Sequence, residues 1–170
     1  MQLNIFLVAA IAALVPLIVG SIWYNPKVFG NAWMNVNGFE EAKMKEGFNM
    51  PLVFGLTYVF GFFVSMILSG VVIHQMGFWS MLQNHFTEPA TLKVFEDAMG
   101  IAGNDFRTFK HGALHGGIAG IGLALPIIAI NALFERRGFK YIAIHAGYWF
   151  VSLIIMGGIL CQFVDLKSMS

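Results

Sequence analysis

The stretch Lys110-His111-Gly112-Ala113-Leu114-His115-Gly116-Gly117, continued to Phe134 without a charge, decides the fold. At about 1.5 Å per residue it is long enough to cross roughly 30 Å of hydrocarbon as a helix. It opens with two histidines one helical turn apart. Polar rings at the mouth of an apolar helix serve either as an interfacial anchor or as a ligand site. The function of the chain turns on which.

Three other runs have the same character. The four are Leu3–Trp23, Pro51–Gln75, His111–Phe134 and Tyr141–Val164, and none contains Asp, Glu, Lys or Arg. Strict two-residue alternation is absent, so these are helices and not barrel strands. The first run lacks a basic leader and is too long for a signal-peptide core, so it is expected to be retained. The expected fold is an all-α integral membrane protein, a single domain over residues 1–170. Its four transmembrane helices lie at about 3–24, 51–75, 111–134 and 141–164, with interfacial segments at 25–50 and 76–110.

Composition agrees. Charged residues make up 11% of the chain, against about 25% in soluble domains. A net charge of +1 gives no reason to expect a nucleic-acid partner. The lone Cys161 rules out a disulfide within the chain. The expected partners are the lipid bilayer and either a second copy or a larger membrane complex.

The connections refine the topology. Asn25-Pro26 stops the first helix, and a charged stretch, Glu40 to Glu46, follows later. After Thr87-Glu88-Pro89, the residues Leu92, Phe95 and Met99 share one face, as in a helix lying on a surface. The link Glu135–Lys140 is so short that the last two helices form an antiparallel hairpin. Lys27, Lys43, Lys45, Arg136, Arg137 and Lys140 lie on one side, and Lys93, Arg107, Lys110 and Lys167 on the other. The excess puts the Arg136-Arg137 link in the cytoplasm and both termini outside. Leu14–Ile18 resembles Ala124–Ile128, each with a mid-helix proline, which reads either as chance or as a duplicated helix pair.

Helices associate in lipid through close backbone approach and hydrogen bonds. Gly112, Gly116, Gly120 and Ala124 form a small-residue ladder at four-residue spacing. Gly61, Ser65 and Ser69 share the same spacing, and further small residues lie at Ala9, Ala13 and Gly20 in the first run and at Ala143, Gly147 and Gly157-Gly158 in the fourth. Such faces build a compact bundle or a homodimer. Leu114, Ile118, Ile121 and Leu125 mark the lipid side. The histidines share a third side with Gly122, Pro126 and Ala129, which is therefore expected to face protein.

Candidate chemistry is sparse. His111 and His115 at i, i+4 lie on one face, a spacing that lets two imidazoles share an ion. His74 ends the second run at the same surface, and His85 lies in the connection between them, so four histidines can meet on one side. A carboxylate from Glu88, Glu96, Asp97 or Asp105 would complete a site, and nothing in the spacing selects one. His145 enters from the opposite surface, roughly 20 Å or more away. Hydrogen bonds to headgroups or water account for the same rings without a ligand. No Gly-x-Ser-x-Gly elbow, His-Glu-x-x-His motif or phosphate loop is present, so the chain is not expected to be an enzyme.

The end of the first run reads Trp23-Tyr24-Asn25-Pro26-Lys27-Val28-Phe29-Gly30-Asn31-Ala32-Trp33. It resembles the bacterial membrane family called domain of unknown function 1761, with its Trp-Tyr-x-Pro-x-x-Phe-Gly-x-x-Trp element. Trp23, Tyr24, Pro26, Phe29, Gly30 and Trp33 fill every fixed position. The resemblance extends to Leu133–Arg137, Gly147-Tyr148 and Met156-Gly157. It implies four helices in a bacterial inner membrane and assigns no activity. The element itself reads as an interfacial hook, with Pro26 stopping the helix, aromatics at headgroup depth and Gly30 allowing a turn.

The leading functional expectation is a structural or accessory membrane component without a cofactor. Two alternatives are a metal or haem protein using His111, His115 and His74, and an oligomeric small-solute channel.

Overall fold

The computed structural model describes residues 3–40, 47 and 49–166. Four helices in it are long and apolar enough to cross a membrane: Ile5–Trp23, Met50–Val72, Phe109–Phe134 and Phe139–Phe163. We number these long helices first to fourth. Among the described residues no strand forms, and one isolated bridge pairs Leu3 with Val164.

Local chemistry sets the ends. Asn4, Asn49 and Thr108 each begin a long helix, and their side-chain oxygens accept from the Phe6, Leu52 and His111 amides. Two prolines shape the interiors. Pro16 lacks the amide that would bond Ala12, and the first helix breaks at Ala13-Leu14. Pro126 widens the third helix into a π-turn over Gly120–Ala124. The second helix ends at Val72, three residues before the expected Gln75. Buried Ile73 adopts an extended backbone, and a new short helix, His74–Leu82, sets off from there. The surface helix expected after Pro89 forms over Pro89–Ala102. Of the charged stretch Glu40 to Glu46 only Glu40 is described, and Lys43, Lys45 and Lys167 fall outside the described residues.

The fourth helix is the hub. Gly112 and Gly116 are buried against it, and a Cβ on either would overlap the carbonyl oxygen of Gly157 or Leu153. At Gly120 a Cβ would lie 2.9 Å from the Phe150 ring, and Ala124 packs against the core. Gly61, Ser65 and Ser69 line the buried face of the second helix, and a Cβ on Gly61 would come within 2.9 Å of the Ala13 carbonyl oxygen. Ser65 and Ser69 donate to carbonyls of their own helix, at 2.9 and 2.6 Å. The small-residue faces are thus used inside one chain. Leu114, Ile118 and Ile121 are 54–61% exposed and form the outward stripe.

Two expectations about faces need correction. Gly122 and Pro126 are exposed, and a Cβ on Gly122 would meet nothing within 4 Å, so the histidine side is not covered by protein along its length. The π-turn rotates the lower half of the helix, so four-residue spacing above it does not extend below. Ala143 is also exposed, while Ala146 is buried in its place.

Candidate metal centre

The two ends of the bundle differ in chemistry. At one end the expected hook forms as a π-turn, Pro26–Gly30, followed by a helix, Asn31–Asn37. Trp23 donates its indole N–H to the Ile144 carbonyl at 3.0 Å and packs on Phe29 at 4.5 Å. Tyr24 packs between Trp33 and Tyr148, each ring 5.2 Å away. Burial pushes its phenol well above the usual tyrosine range, with Tyr148 and Tyr141 adding to the rise, so it stays neutral. Gly30 is helical and makes no turn. Its missing side chain admits the Tyr24 carbonyl, and the left-handed turn falls at Gly38, φ +71°. Arg137 donates to the Val36 carbonyl at 3.1 Å, joining the last hairpin to the hook.

The other end carries the histidines. His74 stands at the start of its short helix, and His111 and His115 occupy the first turns of the third. The break at Ile73 lets His74 lie beside them. The ring centroids form a triangle: 5.0 Å from His74 to His111, 4.9 Å from His74 to His115, and 4.5 Å between the last two. One ring nitrogen from each lies within 4.8 Å of the others. The Nε2 atoms of His74 and His111 are 2.9 Å apart, so one donates and the other accepts.

Among the described residues, no carboxylate or thiol joins that group. His85 does not join either. Its Nδ1 lies 3.4 Å from Glu88 Oε1 on the exposed rim, because the short helix carries it away from the triangle. Asp97 is engaged by Lys93 at 2.9 Å. His145 belongs to the other end, its ring tilted against Tyr141 with centroids 4.3 Å apart.

Residues not anticipated from sequence shape the surroundings. Phe106 has a left-handed backbone, φ +61°, and its ring lies 5.1 Å from His111 and 6.0 Å from His74. Its carbonyl accepts from the Thr108 amide at 2.9 Å and the Cys161 thiol at 3.3 Å. Buried Gln75 donates from Nε2 to the carbonyls of Ala102, Gly103 and Asp105, at 3.0, 3.3 and 2.9 Å. That amide ties the connection to the end of the second helix. Arg107 donates to the Val164 carbonyl, and burial holds its guanidinium below the ordinary range, opposed by Cys161 and Asp165. A cavity of about 370 Å³ opens beside the triangle, lined by His74, Gln75, Phe78, Met99, Asp105 and Phe106 among others. The polar pair Gln75 and Asp105 was the only sequence signal of this support, and it is visible only once the connection folds back.

The family model described as "Protein of unknown function (DUF1761)" matches residues 7–161. The chain belongs to the DUF1761 family. The match covers all four long helices except the ends of the first and last, so the resemblance carried by Trp23–Trp33 extends over nearly the whole chain. No curated protein and no solved structure matches it. The histidine triangle therefore stands on the geometry of this DUF1761 chain alone.

Proposed function

We propose that this DUF1761 chain spans a bacterial inner membrane four times and holds one transition-metal ion through His74, His111 and His115. The observation that carries the reading is the convergence of three ring nitrogens from two separate helices. Metal–nitrogen bonds of about 2.0–2.1 Å put neighbouring ligand atoms roughly 3.4 Å apart. The His74–His111 pair, 2.9 Å apart, opens by about 0.5 Å to reach that, and the remaining pairs, all within 4.8 Å, close by about 1.4 Å at most. Three imidazoles suit zinc, copper, cobalt or nickel and not magnesium or calcium, which require oxygen. Haem fits less well: opposed axial bonds need roughly 4 Å between nitrogens with a porphyrin between them, and two of these are 2.9 Å apart.

An accessory component would need small-residue faces open to a partner, and the glycines of those faces, Gly61, Gly112, Gly116, Gly120 and Gly147, already meet neighbours within the chain. A channel would need a continuous polar path, and the buried serines of the spans, Ser65, Ser69 and Ser152, donate to carbonyls of their own helices.

In detergent, the full chain is expected to retain one zinc or cobalt ion per molecule after passage over a desalting column. Changing His111 and His115 together to alanine removes it. Unchanged circular dichroism and elution volume show that the variant folds. No retained metal in the native chain, or equal retention in the variant, overturns the reading.

The basic residues at the hook end, Lys27, Arg136, Arg137 and Lys140, favour that end as cytoplasmic. The triangle then faces the outside, beside both termini. A cysteine introduced at Lys140 is expected to resist an impermeant thiol reagent in intact cells and react after lysis; buried Cys161 contributes no background. Labelling in intact cells reverses the orientation.

A further inference from the structure

We infer that the ion keeps one coordination position for a small exogenous anion admitted from the cavity beside His74 and Phe106. This rests on the metal reading above. Three protein donors leave a tetrahedral ion one ligand short, the arrangement that distinguishes reactive sites from closed structural ones. Among the described residues no carboxylate or thiol lies within the shared radius of the three nitrogens. All three donors are neutral, so a divalent ion keeps its full charge and favours an anion in the fourth place.

The cavity has the right size and position. Its roughly 370 Å³ exceeds many times the 30 Å³ or so that one water occupies. His74 belongs both to its wall and to the triangle, and Phe106 on the same wall packs against His74 and His111, so the two spaces adjoin. Ala98, Met99, Ala102 and Phe78 make most of the remaining wall apolar. Gln75 does not offer its amide hydrogens to a guest, since three carbonyls already share its nitrogen. The metal is therefore the dominant polar attraction for anything entering. Asp105 is the one carboxylate on the wall, and it is the competing candidate for the fourth position.

The test uses the full chain loaded with cobalt(II), whose visible bands report coordination, and azide as the probe. Azide is expected to shift the bands saturably, one per cobalt. Ala98→Phe, which narrows the cavity without touching a ligand, is expected to weaken azide binding at least tenfold and leave cobalt affinity unchanged. Bands that ignore azide overturn the proposal, as does azide affinity unaltered by Ala98→Phe. A spectrum changed by Asp105→Asn alone assigns the fourth position to Asp105 and also overturns it. Failure to bind cobalt at all instead sinks the metal reading, so the two failures are distinguishable.

Discussion

Replacing Gly116 by valine is expected to stop the third and fourth long helices from docking. The native chain leaves no room at this contact: a Cβ on Gly116 would overlap the Leu153 carbonyl, and one turn earlier a Cβ on Gly112 would overlap the Gly157 carbonyl. Backbone atoms do not move aside as a flexible side chain does. The helices must separate, and separation forfeits the dispersion contacts that hold helices together in lipid. Overpacking in ordinary cores costs about 1–3 kcal/mol, and this site belongs at or above the top of that range. Thermal unfolding in detergent, followed by circular dichroism, measures it. Gly122→Ala on the same helix is the control. Its Cβ meets nothing within 4 Å, so stability stays within about 0.5 kcal/mol.

Changing His115 to alanine is expected to weaken zinc binding by at least about 100-fold, since even partners behind a ligand are worth 10–100-fold. The ring is only partly buried at the bundle's end, so the fold is expected to survive. His145→Ala gives the contrast. That ring lies in the aromatic cluster with Tyr141 and Tyr24 at the opposite end, and zinc affinity should not change. Competition against a chromophoric chelator reads both variants. Equal losses in the two would mean the effect travels through stability and not coordination.

Much of the bundle was legible because its determinants are local. A long apolar run without charge and without two-residue alternation reads as a helix, and glycines every fourth residue on a regular helix share a face. The pairing of His111 with His115 follows from the same periodicity, and His74 from lying at the same end. The failures occur where the helix is not regular. The π-turn before Pro126 separates Gly122 from the face that the periodicity assigned it. The extended Ile73 ends the second helix early and turns His74 toward the triangle. Glycine at position 30 allows a turn, but the chain uses its lack of a Cβ for the close approach of the Tyr24 carbonyl. Gln75 and Phe106 depend on how the connection at 76–110 folds back beyond its surface helix, a long-range contact that no local pattern encodes. His85 was placed near the site by sequence position alone, and the intervening short helix carries it to the rim.

X-ray absorption at the zinc edge of the loaded protein reads the three proposed ligands themselves. An inner shell of nitrogen or oxygen donors at about 2.0–2.1 Å is expected, with outer-shell scattering from three imidazole rings. That signature is lost when His74, His111 and His115 are replaced. A shell without imidazole scattering, or one unchanged in the triple variant, would contradict it.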